Sequence, residues 1–180
     1  IVWPFKLASS LSNISISESG TYIPNPLAFE LSKVSLDKTP NHQIIIVGRF
    51  YDNVKRLDKA LEMFRKLLDK NPNCQMLIVG EIAKNMAAFD DYPETIDQII
   101  KRLNFTDKQL IMVGEKDNVI DYYNESSVLI MTSENEGFGM VLIEAQAKGL
   151  PTIAFKYAGL EDIIEDGVNG FVFKDKNHAQ

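Results

Sequence analysis

The chain has 180 residues, 45% of them hydrophobic and 24% charged, with a formal net charge of −6. This is the balance of a globular domain large enough to bury its own core, and the net negative charge with no basic stripe argues against nucleic acid or an anionic membrane surface as partner. The single cysteine, Cys74, excludes an internal disulfide framework; His42 and His178 form no cluster that would cage a transition metal, and no apolar run approaches the ~18 residues of a membrane span.

Residues 1–42 read as a lead-in, with serine runs, scattered prolines, a short apolar patch "IVWPFKLA" and a turn "YIPNPL". The start at Ile1, without a methionine or signal features, reads as a piece of a longer protein. From Gln43 a regular alternation begins. "QIIIVG" is a β-branched strand ending in glycine, and the helix that follows places Leu57, Leu61, Phe64 and Leu68 on one face before Asn71-Pro72 ends it. "QMLIVG" repeats the strand, with Cys74 before it as a buried thiol. A loop with a broken helix comes next, then "PETIDQIIKRLN", whose Ile96, Ile99, Ile100 and Leu103 share a face. "QLIMVG" is the third strand. A short helix from Asp117 to Glu125 leads to "SVLIMTS", a glycine loop and helix, "PTIAF", an amphipathic helix "LEDIIEDG" with Ile163 and Ile164 inward, and "GFVF". Six nearly continuous apolar strands, each followed by a helix, predict an α/β fold: a doubly wound, Rossmann-like parallel sheet with helices on both faces. Ligands of such sheets bind outside the strand carboxyl ends, so chemistry is expected just after Gly48, Gly80, Gly114 and Thr132.

After the fourth strand stands "SENEGFGMVLIEAQAKGLP". The glycine pair Gly137 and Gly139 lets backbone approach a ligand closely, and the first amides of the following helix form an anion site. Glu136 at the loop edge and Glu144 on the helix are acceptor-only groups suited to hydroxyls, so phosphates between two polyols, as in a nucleotide sugar, fit the layout. Arg49 and Lys55, after the first strand, are at the same sheet edge and can neutralise a diphosphate. The plainer alternatives are a simple glycine turn, a surface Glu144, and a solvated loop in which Arg49 or Lys55 pairs with Asp52 or Asp58. Arg56 and Lys59 read as helix-surface residues. No G-x-G-x-x-G follows a strand and no G-x-x-x-x-G-K-[ST] occurs, which disfavours a dehydrogenase and excludes a P-loop NTPase.

"VGRF", "NVKRLDKALEMF", "MLIVGE", "LIMVGEKDNVIDYYNES", "LIMTSENEGFGMVLIEAQAKGLPTIAF" and "GLEDIIEDGVNGFVF" together resemble, in order and spacing, the donor-binding domain of family-four glycosyltransferases, a retaining group with the two-domain GT-B fold. The likeness runs from about Tyr22 to Phe173, and its most specific element is the E-x7-E pattern of Glu136 and Glu144. The resemblance implies that Arg49 and Lys55, in the loop opened by Gly48, hold the donor diphosphate and that Glu144 binds the ribose. It further implies that Glu136, with the amides of Gly137, Phe138, Gly139 and Met140, holds the transferred sugar, while Val113, Gly114 and Glu115 border the base. Arg49, Lys55 and Glu136 would be the catalytic set. Neither metal nor cofactor is implied, since two cations and the helix amides take up the charge of the leaving diphosphate. The reaction implied is front-face attack with the donor phosphate assisting deprotonation, so no side-chain nucleophile is required.

By this resemblance residues 1–42 are a linker, residues 43–180 form the donor domain, and the acceptor-binding N-terminal domain is absent. The expected partners are a UDP- or GDP-sugar donor and, through the missing half, a glycan or lipid-linked acceptor in polysaccharide biosynthesis. The implied setting is cytoplasmic, with peripheral membrane association of the full-length protein left open. The chain alone is expected to bind nucleotide without turnover and to expose an aromatic patch including Phe50, Tyr51 and Phe138. The alternatives are a catalytically silent nucleotide-sugar sensor and half of a nucleotide-sugar 2-epimerase; a receiver domain is disfavoured because the strand ends lack an acidic cluster.

Overall fold

The computed structural model describes residues 42–51, 53–83, 87–89, 92–157 and 159–173. The expected lead-in therefore lies, but for His42, outside the described residues. In chain order the elements are β1 (Gln43–Val47), α1 (Leu57–Leu68), β2 (Gln75–Val79), β3 (Ala87–Phe89), β4 (Tyr92–Thr95), α2 (Ile96–Leu103), β5 (Leu110–Gly114), α3 (Ile120–Glu125), β6 (Val128–Met131), α4 (Met140–Ala147), β7 (Thr152–Phe155) and β8 (Gly170–Phe173).

Six of these strands form one parallel sheet in the order β5-β2-β1-β6-β7-β8. The order reverses direction at β1, whose neighbours are β2 on one side and β6 on the other, so the crevice between β1 and β6 is the topological switch point. Both faces of the central strands β2, β1 and β6 are covered, which is why these strands read as unbroken apolar runs. Ile44, Ile46, Met76, Ile78 and Ile130 pack with α1 and α2 in one cluster, while Ile45, Leu77, Val79, Leu129 and Met131 pack with Tyr123 of α3 and Leu142 of α4 in the other. The predicted doubly wound, Rossmann-like sheet is thus present.

Helix α1 buries Leu57, Leu61, Phe64 and Leu68 as its periodicity requires, and Phe64 stacks on Phe105 at 5.5 Å. Helix α2 starts with a capping box: Thr95 Oγ1 accepts from the Gln98 amide and Gln98 Oε1 from the Thr95 amide. Cys74 is buried, and burial pushes its thiol up. No helix among the described residues is long and apolar enough to cross a membrane.

Three expectations are corrected. The segment read as a loop with a broken helix carries an antiparallel pair, β3 with β4, in which Phe89 is in register with Tyr92. Aromatic residues favour strands, and the capping box at Thr95 starts helix α2 only after β4. The helix expected from Asp117 begins only at Ile120, because Asn118 Oδ1 accepts from the Ile120 amide and starts the turn there. The segment "LEDIIEDG" is a single 3₁₀ turn, Leu160–Asp162, since Asn169 takes the Ile163 carbonyl and the Glu165 amide into side-chain hydrogen bonds at 2.8 Å each. Ile163 and Ile164 are nevertheless buried and Glu161, Asp162, Glu165 and Asp166 exposed, as expected.

Candidate functional site

The loops that follow β1 and β6 meet across the switch point. Thr132 Oγ1 donates to the Lys55 carbonyl at 2.9 Å, and the Glu134 amide donates to the Val54 carbonyl at 2.9 Å. Thr132 and Ser133 are fully buried, so the root of the second loop is fixed. With the backbones stitched in this way, Lys55 Nζ reaches Glu136 Oε1 at 2.5 Å, and Ser133 Oγ donates to the same oxygen at 2.6 Å. Of the pairings weighed for Lys55, the one with Asp58 is not found, and Asp52 lies outside the described residues.

Arg56 corrects another expectation. It is not a helix-surface residue but 5% exposed, adopting a left-handed backbone (φ 47) that turns it inward at the start of α1. Its Nε and Nη2 hold Asp58 Oδ1 and Oδ2 at 3.0 and 2.9 Å, and Nη1 bonds Glu134 of the β6 loop. Asp58 is 2% exposed. Burial by itself would lower the Arg56 pKa, but Asp58 and then Glu134 reverse that and raise it. The guanidinium is therefore the buried clamp between the two loops.

On the β2 side of Lys55 lies a cavity of about 550 Å³, within the range that houses small ligands. Of the expected site residues, Gly48, Arg49, Lys55 and Glu115 line it, together with Val47, Tyr51, Val79, Gly80, Lys116 and Val119. Gly80 forms the floor: its amide donates to the Gly114 carbonyl at 2.8 Å, and its Cα faces the Gly48 carbonyl. Val113 packs into the core beside this strand end.

The remaining expected residues are split. Gly137 is exposed and open on its Cβ side, Gly139 (φ 71) is the N-cap of α4, and Met140 is its first residue, so the helix amides point out at the loop that carries Glu136. Phe138 is only partly exposed and packs on the core, and Phe50 is buried at 5%; of the expected aromatic patch only Tyr51 is exposed, its hydroxyl bonded to Glu81. Glu144 does not line the cavity. It lies behind the Val119 wall, where Tyr123 of α3, four residues on from Val119, donates to Glu144 Oε2 at 3.1 Å. Burial holds the Glu144 carboxyl above the ordinary range although that hydrogen bond lowers it, and burial and then the Glu144 charge push Tyr123 up. Sequence reasoning named no role for Tyr123, Ser133, Glu134 or Tyr157; Ser133 and Glu134 left a trace in lying just after Thr132, where chemistry was expected, and Tyr123 in its helical spacing from Val119.

The raised Glu144 has a measurable consequence. The folded chain retains a proton that the unfolded chain has released, so stability is lost as pH rises from the ordinary carboxylate value through the raised one, and stays lost above it. Glu144→Gln keeps an acceptor for Tyr123 and removes the charge. It is expected to melt above the unmodified chain at about pH 7, the difference closing toward about pH 4. A lower melting temperature at neutral pH would contradict the assignment.

The family description "Glycosyl transferases group 1" matches residues 29–180. The chain belongs to that family. Similar curated glycosyltransferases include the N-acetyl-alpha-D-glucosaminyl L-malate synthase of Bacillus anthracis, 38% identical over 84 residues, and the D-inositol 3-phosphate glycosyltransferase of Streptomyces bingchenggensis, 39% identical over 88 residues. These alignments cover 46% and 48% of this chain but only 22% and 19% of those relatives, so the chain matches about a fifth of each. Among solved glycosyltransferases and related structures, the pneumococcal O-GlcNAc transferase GtfA in complex with UDP and GlcNAc superposes with a TM-score of 0.67 at 23% identity, over 81% of this chain and 27% of that one. Anabaena HepE in complex with UDP and glucose superposes at 0.60 with 24% identity, over 74% and 34%. At such identity these two matches speak to the fold alone, a Rossmann-like parallel sheet with helices on both faces.

Proposed function

We propose that this chain is the donor-binding lobe of a glycosyltransferase that moves a hexose from a nucleoside diphosphate sugar to a hydroxyl acceptor with retention of configuration and without a metal. The observation that carries this reading is the convergence, across the β1–β6 switch point, of Lys55 from one loop with Glu136 and the α4 amides from the other, beside a cavity that Arg49 also lines. A diphosphate seated there meets two cations and a helix N-terminus, enough positive charge to stabilise a leaving diphosphate with no metal bound. Glu136 then accepts from the sugar hydroxyls and Glu144 from the ribose, after leaving Tyr123. UDP is the preferred first candidate, because the HepE and GtfA structures hold UDP with a sugar.

On this reading the acceptor, a glycan or lipid-linked hydroxyl, is held by a second lobe in the cytoplasm, and residues 1–180 alone bind donor without transferring its sugar. A single sheet edge leaves the sugar open to water, and the positioning that makes a near-attack arrangement productive is lacking. Calorimetric titration with UDP, GDP and ADP in buffer containing a chelator tests the reading. Arg49→Ala and Lys55→Ala are each expected to weaken nucleotide binding by roughly 1.5–3 kcal/mol. Unchanged affinity in both variants, or binding only with a divalent ion, would overturn it.

A further inference from the structure

Tyr157 follows β7 and is 6% exposed, yet its hydroxyl has no hydrogen-bond partner. Among the described residues it is the one buried side-chain polar atom left in that state. Buried polar groups are almost always paired, and a phenylalanine would fill the same space without an orphaned donor, so the hydroxyl calls for a role outside the free fold. Its position suggests one. The hydroxyl lies against Gly139, where a Cβ would come within 2.4 Å of it, and Gly139 ends the loop that begins at Glu136. Burial and then the charge of Glu136 push the phenol up to about 12, so it remains a hydrogen-bond donor at any ordinary pH. In the free chain Glu136 is held by other partners, its Oε1 accepting from both Lys55 and Ser133.

We propose that Tyr157 is a positioning residue for the donor sugar: when a nucleoside diphosphate takes Lys55, the Glu136 carboxylate turns to the Tyr157 hydroxyl, which holds it for the sugar hydroxyls. The inference rests on the donor-site reading above. In the exchange Lys55 replaces a carboxylate with a phosphate and Glu136 replaces an ammonium with a phenol, so that the orphaned donor is satisfied; the Ser133 hydrogen bond to Glu136 Oε1 is the one given up. The left-handed Gly139 at the end of the loop tolerates backbone angles that other residues resist.

The test is titration of the 180-residue chain and its Tyr157→Phe variant with UDP, GDP and ADP and with their glucose conjugates. Tyr157→Phe is expected to bind the free nucleotide as the parent does and the nucleotide sugar about tenfold more weakly, the scale of a hydrogen bond to a charged group. That loss should vanish in a Glu136→Ala background, where no acceptor is left for the hydroxyl to hold. Without ligand, the variant should melt no lower than the parent. Equal affinity for nucleotide sugar in parent and variant overturns the inference and leaves the donor site standing; failure of the parent to bind any of the six probes overturns both. An equal loss for free and sugar-bearing nucleotide, or a lower melting temperature without ligand, would assign Tyr157 to the fold and overturn the positioning role.

Discussion

Arg56→Ala is expected to lower the unfolding free energy by about 3–5 kcal/mol, the cost of leaving one partner of a buried pair uncompensated. Asp58, 2% exposed, would lose both its guanidinium hydrogen bonds, and Glu134 would lose the tether that joins the β6 loop to the start of α1. Arg56→Lys should recover little of this, because an ammonium cannot span two Asp58 oxygens and Glu134 as the planar fork does. The double variant Arg56→Ala, Asp58→Ala should be less damaged than Arg56→Ala alone, since no charge is then stranded. Urea unfolding of the three variants provides the check, and a loss under about 1 kcal/mol for Arg56→Ala would place the cation on the surface after all. Nucleotide affinity should fall with stability, since Lys55 and Glu136 hang from the two loops that Arg56 ties together.

Gly80→Ala is the second large effect, expected at about 3 kcal/mol from backbone strain and overpacking combined. Gly80 has φ 125, and a Cβ there would lie 1.8 Å from the Gly48 carbonyl oxygen, a backbone atom with no rotamer by which to escape. β1 and β2 would have to part at their carboxyl ends, moving Gly48 and with it Arg49 at the cavity wall. Gly114→Ala supplies the comparison. It also has a positive φ, 76, but open space where the Cβ would stand, so it should carry the strain without the collision. Thermal melting that ranks Gly114→Ala at or below Gly80→Ala would refute the close contact.

Much of this was legible in the chain itself. β1, β2 and β6 lie between two helical layers, so "IIIV", "MLIV" and "VLIM" lack polar alternation and declare a parallel sheet. The strand carboxyl ends followed from that sheet as the place for a ligand, and Arg49, Lys55 and Glu136 were chosen by asking which charged residues come after those ends. The misreadings have local causes. Arg56 looked like surface because basic residues near a helix start usually are; its left-handed φ, invisible in sequence, is what sends it inward. "LEDIIEDG" has helical residues, but Asn169, beyond the segment, competes for its backbone groups. Tyr157 follows a strand as many core aromatics do, and only three-dimensional packing leaves its hydroxyl without a partner.

The central claim is that a nucleoside diphosphate binds at the β1–β6 crevice without metal. It is tested most directly by mapping backbone amide chemical shifts of the chain during a titration with UDP, GDP or ADP in the presence of a chelator. The amides of Gly48 to Lys55 and of Gly137 to Leu142 should move together and saturate at one ligand concentration, because one diphosphate touches both loops. Shifts confined to the amino ends of the strands, or no shift with any of the three nucleotides, would contradict the account.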